Sequence, residues 1–491
     1  MDFIFTWMRG RCTGTKKVFF MGFVWVSGCF ASYGQQHNWT LQECVSYALD
    51  HNIDIKQIDL DVERAAIGKQ GAWGSFLPTL SAQSSHSWTL GLNQNITTGL
   101  LENQTTQFTS AGVDVGIDIF KGLQNQNQLL KARLSVLSSK YQSQKMREDV
   151  ALNVINAYLQ IIFNKELNKT NQAQLTYENQ QLLRSQELVA AGVVPAGDLL
   201  DIKATVASTQ QKLIAAENNL LISRLALAQL LHIDDFQSFD IADQAYEVAV
   251  SEVLFKSAEE ILEQAKISQI DLRLAQTKVD IAEREVAISR GVFLPSIRGF
   301  YSLATRAAYN DRIVGQTLDP NFPTRVIGVV ENTNQNVVQP NMLPIISGPE
   351  SLFDQFDNNM GQSFGVGISI PIFNGWSARN NVRMNKVNLE QTKNEKEVAD
   401  LKLKQAVYTA YTDTQSALKS FEAAKVTLEA RNLSLDYAKE RYEVGLMNIF
   451  ELNQVQTLAV NAQSEVLRAK YDYIFKTKIL EYYFGIPIFD N

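Results

Sequence analysis

The chain has three cysteines, and Cys12 and Cys29 fall in or before an apolar segment near its start. Cys44 is the one thiol beyond that segment, so an exported product carries no internal disulfide. The histidines at 37, 51, 86 and 232 are scattered and lack metal-site spacing. Past the first segment, no run approaches the roughly 20 apolar residues of a membrane-spanning helix. The net charge is −7 and both signs are interspersed, which gives no reason to expect nucleic acid and shows no charged tail. No Gly-rich phosphate loop or Ser/His/Asp set is present, and the paired acids Asp114 and Asp118 have no base or nucleophile nearby. These absences argue against an enzyme and imply neither metal nor cofactor.

Helix breakers are also missing where they matter. Leu123 to Ala191 and Trp376 to Val444 contain neither glycine nor proline, and each run is 69 residues long. At about 1.5 Å per residue, each makes a helix of roughly 100 Å. The expected long helices, over 121–191 and 374–444, end at Gly192 and Gly445, where the chain must reverse. The returning helices, over 198–231 and 448–484, are half as long. Helices over 54–76 and 270–293 would make up the difference by stacking end to end with them.

The returning helices carry a sustained 3.5-residue period: Leu199, Ile202, Val206, Thr209, Leu213, Ala216 and onward, then Leu452, Val455, Ala459, Ala462, Val466 and Ala469. That period means coiled-coil packing against a neighbour, with small residues allowing close approach. An ordinary helical bundle core would show the same seam.

The chain is written twice. "ALDHNIDIKQIDLDVERAAIGKQGAWGSFLP" (48–78) aligns with "AKISQIDLRLAQTKVDIAEREVAISRGVFLP" (265–295). "VDVGIDIFKG" (113–122) aligns with "VGISIPIFNG" (366–375), and the segment after Gly192 aligns with the one after Gly445. The first repeat spans 35–233, a connector covers 234–256, and the second repeat spans 257–491. Each repeat reads as a short helix opened by a capping box (Thr40 with Glu43; Ser257 with Glu260), a helix, a strand pair, a long helix and a return helix. The second repeat carries extra residues over 305–360, rich in Pro, Asn and Gln, which read as a long surface loop; its counterpart over 93–107 is short.

Strands are expected over 79–92, 108–120, 296–306 and 362–373. Val113, Val115, Ile117 and Ile119 share one face and Asp114, Gly116 and Asp118 the other; Phe364, Val366, Ile368 and Ile370 alternate with Gly365, Gly367 and Ser369. Aromatics stand at strand ends (Phe76, Phe120, Phe293, Phe373, Trp376), as in an interfacial girdle. A soluble half-buried sheet alternates in the same way. Four strands are too few to close a pore, since barrels need at least about eight. Three copies would supply about twelve.

The start reads as an export signal. Lys16 and Lys17 precede an apolar run from Val18 to about Phe30, followed by Ala31, Ser32 and Gly34. Cleavage near Gly34 would remove 1–34. "VSGC" at 26–29 also resembles a bacterial lipobox, which would leave Cys29 lipidated.

"RYEVG" with "FELNQVQTLAVNAQSEVLRAKYDYIFKTKILEYYFGI" at 441–486, its weaker twin at 188–233, the two "FLP" and the two "IF-x-G" motifs resemble the TolC-type outer-membrane efflux channel family. The resemblance covers essentially the whole mature chain. It implies a homotrimer in the outer membrane of a Gram-negative bacterium: a 12-stranded β-barrel on a long periplasmic α-helical barrel. Such a trimer docks on a periplasmic adaptor and an inner-membrane pump of the RND, ABC or MFS type, and contacts outer-membrane lipid. The family narrows its periplasmic entrance with acidic side chains after the second tip glycine. This chain has Glu451 there, Gln454 where a second acid is often found, and Asp198 with Asp201 in the first repeat. Tyr442 matches a tip tyrosine that latches neighbouring hairpins, whereas Met447 stands at the usual basic position. Arg441, Tyr442, Gly192 and Gly445 are the expected adaptor-facing tips, and Asp114 and Asp118 the lumen-facing strand acids. A solvated helix-start role for the tip acids, and a secreted coiled-coil spacer without a pore, are the competing readings.

Overall fold

The computed structural model describes residues 38–94, 100–242 and 251–486. The expected leader over 1–34, with Cys29, lies outside them. The first half runs β1 (Asn38–Trp39), α1 (Leu41–His51), α2 (Ile53–Gly74), β2 (Thr79–Gln94), β3 (Leu101–Lys121), α3 (Gln124–Ala190) and α4 (Ala196–Leu231). After β4 (Asp240–Ile241) come α5 (Ala258–Ser268), α6 (Ile270–Gly291), β5 (Ser296–Ala308), β6 (Arg312–Leu318), β7 (Thr324–Val329), β8 (Asn336–Pro340) and β9 (Met342–Ser347). Next are α7 (Leu352–Asn358), β10 (Gly361–Ser369), α8 (Ser377–Glu443) and α9 (Ile449–Phe484). Helices of 11, 22, 67 and 36 residues recur in that order in both halves.

Local chemistry sets these boundaries. The Thr40 hydroxyl accepts from the Glu43 N–H at 3.3 Å, and the Glu43 carboxylate accepts from the Thr40 N–H at 2.8 Å. Ser257 and Glu260 repeat the arrangement at α5. The "IF-x-G" motifs are the strand-to-helix corners. Gly122 and Leu123 have φ of 56° and 60°, and Gly375 and Trp376 have 64° and 67°. Two successive left-handed residues swing the chain from the sheet onto the long-helix axis. An L side chain in that region costs about 1–2 kcal/mol, which Leu123 and Trp376 each bear. Gly122 also faces Gly291 so closely that a Cβ would lie 2.1 Å from its carbonyl oxygen.

Helices α3 and α4, and likewise α8 and α9, pack as antiparallel hairpins. Along its length α3 also meets α2, α6 and α9, and α6 bridges to α8. Thus α2 and α4 share α3, while α6 and α9 share α8. The seams face inward: Ile202, Thr209, Leu213, Ala216, Ser223 and Leu227 on α4 are buried, as are Leu452, Ala459, Ala462, Ala469 and Tyr473 on α9. Among the described residues, three apolar cores hold the rods together. One joins α1, the middle of α3 around Tyr158, the end of α4 and β4. A second joins α5 to α8 and Leu480. The third lies at the hairpin tips. Asp240 on β4, which pairs in parallel with β1, is gripped by Lys165 at 2.8 Å and Arg224 at 3.0 Å.

The main sheet is antiparallel in the order β10-β5-β3-β2. Its strands differ from the expected limits. β3 begins at Leu101, so most of the loop expected over 93–107 is strand. There polar residues occupy both faces, which erases the alternation that marks strands, while Thr105 and Thr106 still favour extended backbone. β10 stops at Ser369 rather than running to 373, because Pro371 has no N–H for a ladder. The stretch read as a surface loop over 305–360 instead contains the end of β5, the nested pairs β6–β9 and β7–β8, and α7. Prolines sit at strand ends there, as Pro340 does, or on an edge, as Pro344 does.

Candidate functional site

Two regions carry the function-bearing geometry: the sheet and the hairpin tips. Pairing registers put Leu80, Val115, Tyr301 and Phe364 on one rung, and Ser81, Asp114, Ser302 and Ser363 on the next. The sheet therefore has one apolar and one polar face. The apolar face is uncovered in the protomer: Leu80, Val366 and Ile368 are exposed, and Phe364 is 83% exposed. On the polar face, Ser302 Oγ donates to Asp114 Oδ1 at 2.7 Å, and Gln83 Nε2 donates to Oδ2 at 3.2 Å. Asp118 pairs with Lys121 at 3.2 Å and stands opposite Arg298 in register. Among the described residues, strands β10 and β2 each have a neighbour on one side only. Aromatic side chains bracket the apolar band. Phe293, Phe373 and Trp376 are exposed at the helix end. At the other end His86 bonds Thr109 at 2.7 Å, Thr109 bonds Tyr309 at 3.0 Å, and Trp88 abuts His86 edge-on.

At the tips, Gly192 (φ 72°) and Gly445 (φ 75°) close the long helices in the same way. Val193 N–H donates to Leu188 O at 2.9 Å and Gly192 N–H to Val189 O at 3.0 Å; Leu446 N–H donates to Arg441 O at 2.8 Å and Gly445 N–H to Tyr442 O at 3.0 Å. This paired pattern satisfies the last carbonyls of each helix and requires a left-handed residue at the glycine. Asn448 then opens α9, its side-chain oxygen accepting from the Glu451 N–H at 2.8 Å. Pro195 opens α4 without a side-chain cap.

The structure places Glu451 in the first turn of α9 and Gln454 a turn later, both exposed. Among the described residues, no side chain pairs with the Glu451 carboxylate. Asp198 is half-buried in the first turn of α4, and Asp201 is exposed. The Arg441 side chain is exposed. Tyr442 is half-buried against the tip core of Ile202 from α4 with Ala438, Ile449 and Leu452, on which Leu182 of α3 also packs, so both hairpins of one protomer meet in that core. Burial raises its hydroxyl pKa, Arg184 opposes that shift, and Asp198 adds to it. Arg184 and Asp198 thus lie near enough to Tyr442 to bias its hydroxyl, whereas Glu451, Gln454 and Asp201 face solvent. Arg184 escapes sequence reasoning: it is one polar residue in a long polar-rich helix, and only the crossing of two hairpins reveals its neighbours.

Among the described residues, no group of His, Cys, Asp and Glu is arranged to hold a metal ion, and no helix is long and apolar enough to cross a membrane. Cys44 is fully buried, and desolvation pushes its thiol up to about 12.

The fold is that of known outer-membrane channels. It superposes on the CmeC outer membrane channel of Campylobacter jejuni with a TM-score of 0.73 at 17% identity, covering 91% of this chain and 85% of that one. The outer membrane protein VceC of Vibrio cholerae gives 0.72 at 14% identity, covering 91% and 96%. In sequence, outer membrane protein TolC of Salmonella enteritidis is 20% identical over 460 residues, 93% of this chain and 83% of that protein. Outer membrane efflux protein BepC of Brucella suis is 20% identical over 365 residues, 74% of this chain and 69% of that protein. The family model for outer membrane efflux proteins matches residues 44–231 and 261–477, and by that match this chain belongs to the outer membrane efflux protein family.

Proposed function

We propose that the chain is one third of a passive exit duct of a tripartite efflux or type I secretion system. The observation that carries this is the sheet, with one polar face, one exposed apolar face, and two unpaired edges. Joining the β10 edge of one copy to the β2 edge of the next buries both, and three copies close a barrel of about twelve strands. The apolar face then meets outer-membrane lipid, and Asp114 and Asp118 line the lumen. The duplicated helical hairpins below continue the wall into the periplasm.

At the periplasmic end, three copies of Glu451 form an acidic ring, with Gln454, Asp198 and Asp201 close behind it. Such a ring concentrates cations and repels anions. The tips around Gly192, Arg441, Tyr442 and Gly445 are the docking sites for a periplasmic adaptor, which couples the duct to an RND, ABC or MFS pump. The duct itself performs no chemistry. Glu451→Ala in the purified trimer is expected to raise single-channel conductance or weaken divalent-cation block; unchanged conductance and block would remove the gate. The alternative, a secreted spacer without a pore, has no use for an exposed apolar sheet face. It would dissolve in buffer, whereas the duct requires detergent.

A further inference from the structure

Two tall features stand above the four-stranded rungs, at opposite edges of the sheet. At the β2 edge, β2 and β3 continue beyond the top of β5 as a two-stranded hairpin, from the Trp88–Gln107 pair to the Gln94–Leu101 pair. That is about 23 Å of strand. Trp88, Leu90, Leu92 and Leu101 share one of its faces and are 58%, 76%, 68% and 66% exposed. Beside the β10 edge, a ribbon leaves the top of β5, climbs through β6 and β7, descends through β8 and β9, and returns through α7 to β10. The β6–β9 part alone is also about 23 Å long. Its cross-strand pairs include Ile313–Ile346, Leu318–Met342 and Val326–Val338, all exposed. Residues 312–347 carry only Arg312, Asp319, Arg325 and Glu331 as charges.

Something must cover these surfaces. An isolated two-stranded ribbon is marginal in water, and an exposed apolar strand edge invites pairing. The hydrogen-bonded His86, Thr109 and Tyr309 with Trp88 stand where an interfacial aromatic girdle would, and both the ribbon, which begins beyond Tyr309, and the hairpin past Trp88 extend beyond that level. Among the described residues, the ribbon's strands have their main contacts with one another.

We infer that the ribbon over 312–347 docks on the upper β2–β3 hairpin of the neighbouring copy, so that the copies together raise an extracellular collar above the barrel. This rests on the trimeric duct. Closing the ring brings each β10 edge to a neighbour's β2 edge, which carries each ribbon to that neighbour's hairpin. The two are matched in length and apolar character, and among the described residues each leaves its apolar side chains exposed.

A photoreactive p-benzoylphenylalanine at Leu92 of the full-length protein tests this. Irradiation of the purified trimer is expected to give covalent dimers whose cross-linked peptides fall in 312–347 of the second copy. The added changes Leu318→Lys and Ile346→Lys are expected to abolish that cross-link while the trimer persists on a native gel. An intact trimer giving only intrachain adducts, adducts to another protein, or no adduct overturns the collar and leaves the duct standing. Absence of any trimer overturns both.

Discussion

Replacing Gly445 by alanine isolates the cost of the tip reversal. Gly445 has φ 75°, and a Cβ built there meets nothing within 4 Å, so the substitution adds strain without a clash. Forcing an L residue into the left-handed region costs about 1–2 kcal/mol. The cost falls on the two hydrogen bonds that close α8, from Leu446 N–H to Arg441 O and from Gly445 N–H to Tyr442 O. A local opening equilibrium weakened by 1–2 kcal/mol opens roughly 5–30 times more often. The assay is native-state amide exchange at residue 446, read by mass spectrometry of tip peptides. Two controls sharpen it. Gly445→Asn should exchange far more slowly than Gly445→Ala, because asparagine tolerates the left-handed region. Gly197→Ala, inside the first turn of α4 with open space around it, should protect rather than expose its tip, by about 0.4–1 kcal/mol. Equal exchange in Gly445→Ala and Gly197→Ala would refute the reasoning that backbone handedness sets the tip.

Other consequences are equally direct. Leu480→Ala empties a fully buried site between α5 and α8, and should cost about 2–5 kcal/mol, seen as an earlier denaturant midpoint by circular dichroism. Phe364→Lys puts a charge on the apolar sheet face, on a rung about midway between the two aromatic levels, at a cost of about 2–4 kcal/mol near the bilayer midplane. It should cut recovery from the outer-membrane fraction, whereas Ser363→Lys on the polar face should not. Burial raises the Glu148 carboxyl above its ordinary 4.5, despite hydrogen bonds from Tyr482 at 2.9 Å and Gln144 at 3.2 Å. Folding therefore favours the protonated acid. That stability is full below pH 4.5 and is lost as pH rises through the raised value. Glu148→Gln keeps an acceptor for Tyr482, and should flatten the fall in melting temperature above pH 4.5 without abolishing it, since Asp149 is raised in the same sense. An unchanged slope would show that Glu148 is not the titrating group.

The long rods were legible because their signal is an absence sustained over 69 residues, and because a 3.5-residue seam names the buried stripe. The hairpin tips were legible because Gly192 and Gly445 are the glycines that end the breaker-free runs, and both have the positive φ a reversal demands, whereas the strand-to-helix corners at Gly122–Leu123 and Gly375–Trp376 were seen only as a repeated motif. The strands β6 to β9 were not, because Pro320, Pro323, Pro340 and Pro344 with many Asn and Gln imitate a loop, and edge strands tolerate those residues. The lower-numbered end of β3, over 101–107, was hidden for a related reason: its run of Glu, Asn, Gln and Thr leaves no alternation to read. The Tyr442, Asp198 and Arg184 grouping depends on how two hairpins cross, which no single helix encodes.

Four strands per copy cannot close a pore, so the account depends on copy number above all. Native mass spectrometry of the detergent-extracted protein measures it directly. The account predicts a complex of three identical chains. A monomer or dimer that survives gentle release, or a protein that leaves the membrane without detergent, would contradict it.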